Sequence, residues 1–316
     1  MVFEVSVIIP VFNAECFIEK AIYSALQQDE VKEVIVVNDG STDSTLEKLQ
    51  LVSLANPHVV IVEHQGGQNL GRSASRNLGI KTALSKYVAF LDADDYYREN
   101  RFKKDKLIFD GNPKIDGVYN AIGVHFYRRA SLEEERRLKL TTIDKRISPE
   151  SLFFEMWPKG HSGSFSGDGL TVKKSIFKKV GYFHEALEVA EDTHMWIRMS
   201  LKAVLVPGII DFPVGMRGVH QRNVFNKVGQ QIYISNYYKM YLLLLDWGFK
   251  NKIHINALDY FWERTIQHFH LMNQERRSIL RETCFWFHFA LKYPKILLIR
   301  RFLRSFPLYK KLSSFK

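Results

Sequence analysis

The first hundred residues repeat one pattern four times: a short unbroken run of β-branched and apolar residues, then a stretch with helical spacing. Val5 to Val11, Val34 to Val37, Val59 to Val62 and Tyr87 to Leu91 are the runs. A strand with one wet face alternates apolar and polar side chains. An unbroken run must be covered on both faces, which is the situation of a parallel sheet between helices. The intervening segments supply those helices. Phe17, Ile18, Ala21, Ile22, Ala25 and Leu26 fall at helical spacing between Glu15 and Gln28. Ser41, Thr42 and Asp43 offer N-caps to a helix through Leu46 and Leu49, and Asn69 and Gly71 open one running to about Ser85. The pattern predicts an α/β fold, a Rossmann-like and mainly parallel sheet flanked by helices.

Beyond residue 100 the pattern loosens. Arg128 to Lys145 is highly charged and predicts a solvated, mobile segment, and 160–169 is a Gly- and Ser-rich loop. Ser175 to Val180 reads as a short helix stopped by Gly181, and Glu191 to Leu201 as another. From about Gln230 the chain reads as helical, aromatic and basic. A length of 316 residues suits two domains, divided here as 1–225, with a donor half of about 1–100 and an acceptor half of 101–225, and 226–316. The longest apolar run there, Met240 to Leu245, falls far short of the roughly 18 residues that a membrane span needs. Glu4 comes early and Pro10 interrupts the first apolar stretch, so no secretory signal is expected. Cys16 and Cys284 are the only cysteines and suit a reducing cytoplasm.

The net charge of +11 is concentrated at one end. Lys250 to Lys316 holds 14 basic and 4 acidic residues, and after Glu282 there are 8 basic residues, no acidic one and 9 aromatics. This predicts a basic helical extension on a nearly neutral body. Two readings of it stand side by side. Amphipathic helices of this composition lie in the interface of anionic membranes, here with Trp286 and Phe302 inserted, which would place the protein on the cytoplasmic face of a membrane. Alternatively an apolar stripe docks on the rest of the protein.

The unusual polar residues gather where open parallel sheets bind ligands, at the carboxyl ends of the strands. The first strand ends in Pro10-Val11-Phe12-Asn13, the second in Asn38-Asp39-Gly40-Ser41 and the fourth in Asp92-Ala93-Asp94-Asp95. Any one such cluster is explained by turns and helix caps; three on one edge are not. An Asp-x-Asp triplet arises about once by chance with 15 Asp in the chain. Its place at the end of a buried strand gives it weight, because paired hard carboxylates there suit Mn²⁺ or Mg²⁺ bridging to phosphates. No G-x-x-x-x-G-K-[ST] is present and no G-x-G-x-x-G follows the first strand, which disfavours P-loop and NAD-binding classes. A nucleotide held through a divalent metal remains.

Four ordered motifs then resemble one family. They are Val5-Ser6-Val7-Ile8-Ile9-Pro10-Val11-Phe12-Asn13, Val36-Val37-Asn38-Asp39-Gly40-Ser41-Thr42-Asp43, Asn69-Leu70-Gly71 through Arg76-Asn77, and Phe90-Leu91-Asp92-Ala93-Asp94-Asp95. Together they resemble the family 2 glycosyltransferases of GT-A fold over roughly residues 3 to 225. The resemblance implies an inverting, hexosyltransferase-type transfer from a nucleoside-diphosphate sugar, usually a UDP-sugar, to a glycan or lipid-linked acceptor, as in cell-surface polysaccharide synthesis. It implies that Pro10, Phe12 and Asp39 hold the base, with Asn69 and Arg76 along the nucleotide and Asn13 and Ala93 also among the residues that bind the nucleotide-sugar. Asp92 would meet the ribose or sugar, and Asp94 the Mn²⁺ or Mg²⁺ beside Asp92.

The pair Glu191-Asp192 with Trp196 after it resembles the family's catalytic-base motif. Asp192 is then the general base and Glu191 orients the acceptor, although acids at a helix start also answer its dipole. Arg217 is a candidate diphosphate contact and His220 a candidate third metal ligand. Trp157, His161, Asp168 and Trp196 are candidates for the acceptor pocket. The Gln-x-x-Arg-Trp of processive synthases is absent, since Gln221-Arg222-Asn223 does not match it, so addition of one sugar and not polymer extrusion is expected. A nucleotidyltransferase would show a Gly-rich first loop, which Pro10 to Asn13 is not. A nucleic-acid partner is disfavoured by the donor motifs. The remaining alternative is a catalytically inactive protein of this fold that binds a nucleotide-sugar or a membrane.

Overall fold

In a computed structural model the described residues are 2–223, 229–273 and 278–307, apart from the side chain of Arg137. Strands β1 (Val5–Val11), β2 (Val31–Asn38), β3 (Val59–Glu63) and β4 (Tyr87–Phe90) pair in parallel in the order β3-β2-β1-β4. Their side chains divide between two cores. Val5, Val7, Ile9, Val34 and Val36 enter one, and Ile8, Ile35, Val37 and Val88 enter the other. That two-sided burial is the physical content of the unbroken apolar runs. Each such side chain stabilises the fold by about 1.5–3 kcal/mol. The covering helices are α1 (Ile18–Leu26), α2 (Thr45–Ala55) and α3 (Arg72–Thr82). Helix α2 starts later than its cap signals because Asp43 accepts from the Thr45 N–H at 3.0 Å.

The sheet does not stay parallel. After β5 (Tyr96–Tyr97), α4 (Lys103–Gly111), β6 (Gly117–Tyr119) and β7 (Ile122–Phe126), strand β8 (Leu170–Lys173) inserts antiparallel between β4 and β6. Strand β9 (Leu205–Pro207) closes the seven-stranded sheet beside β6. A second, three-stranded sheet has the order β5-β10-β7, with β10 covering Gly215–Val219. The charged stretch from Arg128 is more ordered than its composition predicts. Ser131 and Glu134 form a capping box that starts α5 (Leu132–Arg137), Arg128 pairs with Glu134 at 2.6 Å, and Ile143 is buried. Helices α6 (Leu152–Glu155), α7 (Ile176–Val180) and α8 (Glu191–Lys202) complete this part, and α7 stops at Gly181, whose φ is +81°.

The chain divides into Met1–Asn226 and Lys227–Lys316. The boundary expected at 225, and the tail's Lys310, Lys311 and Lys316, lie outside the described residues. The second unit contains α9 (Gln230–Lys250), α10 (Ile255–Met272), α11 (Ile279–Lys292), a 3-10 turn over Pro294–Leu298 and α12 (Arg300–Arg304). No helix among the described residues is long and apolar enough to cross a membrane. Trp262 is fully buried, its ring 4.7 Å from that of Phe302, and its indole N–H donates to Ser305. Trp286 stacks on Phe302 at 4.4 Å and donates its N–H to the Phe302 carbonyl. The expected insertion of Phe302 into a bilayer is therefore corrected. Its side chain is 0 % exposed because Trp262 of α10 and Trp286 of α11 close over it.

Candidate active site

The strand order reverses between β1 and β4, which leaves a crevice at their carboxyl ends. Three loops meet there. After β2, Asp39 is buried and accepts from the backbone N–H groups of Leu70 and Gly71 at 2.8 and 2.9 Å, with His64 Nε2 3.4 Å away. Both of its oxygens hold the loop that starts α3, so contact with a base must use lone pairs those bonds leave over. Gly40 makes the loop approach achievable: its φ is +72°, and a Cβ there would sit 2.7 Å from the Gly67 carbonyl. Pro10 is buried within β1 opposite Val37, while Phe12 and Asn69 are exposed at the edge. Asn13, at φ +50°, ties the first two loops together by accepting from the Thr42 N–H at 2.7 Å.

The β4 loop carries the acids. Asp92 Oδ1 accepts from Arg76 at 2.8 Å, and Arg76 also reaches Glu191 at 3.1 Å. Burial opposes the charges of Asp92 and Arg76, but the pairing outweighs it. It holds the Asp92 carboxyl below the usual range, with help from Arg72 and Arg217, and the Arg76 guanidinium above its own. Ala93 faces the core. Asp94 Oδ2 lies 2.8 Å from His220 Nε2 and accepts from Asn223 at 3.0 Å. Burial and the neighbouring Asp92 push Asp94 up. Asp95, which sequence reasoning left without a role, is buried and accepts from the Gly218 N–H at 2.7 Å. That bond seats β10 on the loop so closely that a Cβ at Gly218 would meet the Asp94 carbonyl at 2.2 Å. Arg217, half-buried on β10, adds its charge to Asp92.

Asp168 is placed differently from the acceptor pocket expected for it. Its oxygens accept from the Asp92 N–H at 3.1 Å and the Ser166 hydroxyl at 3.0 Å, beneath the β4 loop. Burial, then the charge of Asp92, raise its carboxyl to about 6. Burial and Asp168 raise Asp95 well above the carboxylate range. Asp92, Asp95 and Asp168 each offer an oxygen within 4.8 Å of the others, a set of hard ligands that could hold a divalent cation.

Helix α8 brings the second acidic pair. Ala190 enters it at φ +65°, a left-handed conformation that strains any residue with a Cβ. Glu191 turns inward: it is 3 % exposed and is held by Arg76 and, at 3.3 Å, by Arg72. Burial, then Asp192, raise its carboxyl, with both arginines pulling the other way. An acceptor cannot reach Glu191 there, so its expected orienting contact is replaced by an internal ion pair. Asp192 is half-exposed, with one oxygen on the Thr193 N–H. Trp196 is also corrected. It is 6 % exposed and packs between Phe165 and Phe183, at 5.5 and 6.0 Å, because its position on α8 faces the core. Trp157 and His161 are exposed.

His194, also on α8, is buried with neither ring nitrogen hydrogen-bonded among the described residues. Burial, then Arg198, hold its pKa well below the ordinary value. The unfolded chain binds a proton near pH 6.5 that the folded chain refuses, so stability falls as pH drops through that value. His194→Leu should flatten this acid limb. Urea midpoints at pH 5 and pH 8 measure it, and an unchanged difference between the two would show that His194 is not its source.

The profile of the family described as "Glycosyl transferase family 2" matches residues 6–177. An uncharacterized glycosyltransferase of Rickettsia typhi is 30% identical over 206 residues, covering 61% of this chain and 58% of that protein. The chain thus spans little more than half the length of that relative. An uncharacterized glycosyltransferase of Methanocaldococcus jannaschii is 27% identical over 268 residues, 82% of this chain and 84% of that one. Among solved structures, S. aureus TarS 1-349 in complex with UDP-GlcNAc aligns with a TM-score of 0.63 at 19% identity, over 96% of this chain and 82% of that one. The mannosyltransferase PcManGT of Pyrobaculum calidifontis, with GDP-Man and Mn²⁺, aligns with a TM-score of 0.54 at 15% identity, over 97% and 84%. The fold is shared with both.

Proposed function

The chain belongs to glycosyl transferase family 2, a family of transferase enzymes, and from that premise we propose that it moves one sugar, with inversion, from a UDP-sugar to a hydroxyl of a glycan or lipid-linked acceptor. The observation that carries this reading is the ion-paired path Glu191–Arg76–Asp92, which ties the start of α8 to the carboxyl end of β4. It supports a role for Asp192, which neighbours Glu191 and whose charge acts on Arg76, although it lies a hundred residues from Asp92 in the sequence. Asp192 takes the proton of the acceptor hydroxyl as that oxygen bonds to the anomeric carbon. The bond from that carbon to the diphosphate breaks on the opposite face, and the diphosphate leaves with the electron pair. Pro10, Phe12, Asn13, Asp39 and Asn69 line the nucleotide side, with Arg217 toward the diphosphate.

The donor set suits Mn²⁺ or Mg²⁺, because Asp92, Asp95 and Asp168 bring hard carboxylate oxygens within 4.8 Å of one another, and burial with the charge of Asp92 holds Asp94, Asp95 and Asp168 above their ordinary range, a penalty that a divalent cation relieves. Asp94 and Asp92 would hold it. His220 is the weakest candidate: its Nδ1 accepts from the Arg222 N–H at 3.2 Å, which puts the ring proton on Nε2, facing Asp94. Bound there, the cation supplies charge to stabilise the departing diphosphate. TarS and PcManGT, captured with UDP-GlcNAc and with GDP-Man and Mn²⁺, support a nucleotide-sugar donor at the level of fold.

The test is a panel of UDP-, GDP- and TDP-sugars with Mn²⁺, read by thermal shift and by release of nucleoside diphosphate. At a hundred times Kd, a bound donor raises stability by about 2.7 kcal/mol, and the melting temperature by roughly 5–10 °C. Asp94→Ala, or EDTA with the native protein, should abolish that shift for the UDP-sugar. Diphosphate release that survives exhaustive chelation would refute the metal requirement. A donor that binds without release, with every acceptor offered, would point to the inactive alternative.

A further inference from the structure

Helix α11 is apolar on two opposite faces, and among the described residues only one of them is packed. Phe285 and Phe289 pack on Trp262 at 5.8 and 5.3 Å, and Trp286 lies on Phe302. On the other side Leu280, Cys284, Phe287 and Leu291 fall at i, i+4, i+7 and i+11, one stripe of a helix, and all four are exposed. Leu280 is 73 % and Leu291 81 % exposed. The exposure continues along the chain at Leu297, Leu298 (74 %) and Leu303. Phe287 also lies 6.0 Å from Phe306, which brings the stripe to the end of α12. Single exposed apolar residues are ordinary on protein surfaces; a run of this kind marks an interaction face.

The charges around the stripe say what it meets. Lys292, Lys295, Arg300 and Arg304 are exposed in the same segment. Its one acid, Glu282, is drawn inward to His270 at 3.5 Å. The sequence beyond it adds Lys310, Lys311 and Lys316 and no acid. A second copy of this chain would bring the same positive charge against this one, whereas a surface carrying anionic headgroups over an apolar layer complements both features. We infer that the Leu280–Phe287–Leu291 face, with Leu298 and Leu303, seats the protein reversibly on an anionic lipid bilayer. This goes beyond the transfer reaction and does not depend on it. It also replaces the residues that composition alone singled out: Phe302 is internal, and the inserting side chains are those on the opposite side of α11.

The experiment is co-sedimentation of the full chain with vesicles of phosphatidylcholine alone and of phosphatidylcholine with phosphatidylglycerol. Binding is expected only to the second, and it should weaken with salt because the headgroup attraction is screened over about 8 Å at physiological ionic strength. Phe287→Gln and Leu291→Gln together should lower the partition coefficient by about a hundredfold, the effect of losing two buried apolar side chains. Both sites are exposed, so the fold should persist, and circular dichroism checks it. Leu54→Gln, at an exposed apolar residue of α2, is the control and should leave binding unchanged. Equal binding to both vesicles overturns the inference, as does binding that the double variant retains. Failure to bind anionic vesicles, with a lipid-free dimer that the double variant dissociates, also overturns it and assigns the face to self-association.

Discussion

Replacing Asp192 with Asn is expected to slow sugar transfer by about 10²–10⁴-fold, the scale of a lost general base, while donor binding and the fold persist. The expectation rests on the different fates of two adjacent carboxylates. Glu191 points inward and is consumed by Arg76 and Arg72, whereas Asp192 stays half-exposed in the same first turn of α8. A base must meet the acceptor hydroxyl, so only the second can serve. Asn keeps the shape and the acceptor oxygen that receives the Thr193 N–H, which separates loss of the base from loss of structure. The measurements are kcat for transfer, and the thermal shift produced by donor with Mn²⁺. Transfer within threefold of wild type would remove Asp192 from the reaction. A lost donor shift would mean that it positions the nucleotide instead.

The parts of the fold legible in the sequence are those whose signal is local. Val5 to Val11 announces a strand buried on both faces because Val5, Val7, Ile9 and Val11 enter one core and Ile8 the other. Gly181 announces a helix end because its backbone must turn left-handed. The antiparallel β8 and the three-stranded sheet were not legible. Strands of two to five residues carry little periodicity, and their pairing is set by partners far along the chain. The same holds within the site. Asp92 and Asp94 stand out as a motif at a strand end. Asp95 is given its place by Gly218, 123 residues away, and Asp168 by the Asp92 backbone, 76 residues away. Trp196 is a core residue, although an aromatic beside an acidic pair reads equally as a ligand contact or as core. Only the packing of Phe165 and Phe183 decides between them.

Arg76→Met should lower stability by about 3–5 kcal/mol, the cost of removing one partner from a buried ion pair. Against total stabilities of about 5–15 kcal/mol this is large, and it corresponds to a fall in melting temperature of roughly 6–20 °C. The loss comes chiefly from Glu191. Asp92 is 39 % exposed at its side chain and can recover water, whereas Glu191, at 3 %, cannot. Arg72 remains 3.3 Å from Glu191 but is itself partly in solvent and replaces only some of the lost attraction. Two consequences separate this account from simple loss of packing. First, Arg76→Met combined with Glu191→Gln should be less destabilised than the sum of the single variants, by about 0.5–3 kcal/mol, because the stranded charge is gone. Second, burial already raises the Glu191 carboxyl, and removal of Arg76 raises it further. A folded-state pKa above the unfolded one means that the folded chain takes up the proton more readily. The deficit of Arg76→Met should therefore shrink as pH falls toward and through the unfolded value of about 4.3. Urea titrations of the two single variants and the double variant across that range measure both effects. Strict additivity together with a pH-independent deficit would show that Arg76 is held for its shape, and that α8 is joined to the β4 loop by packing rather than by charge.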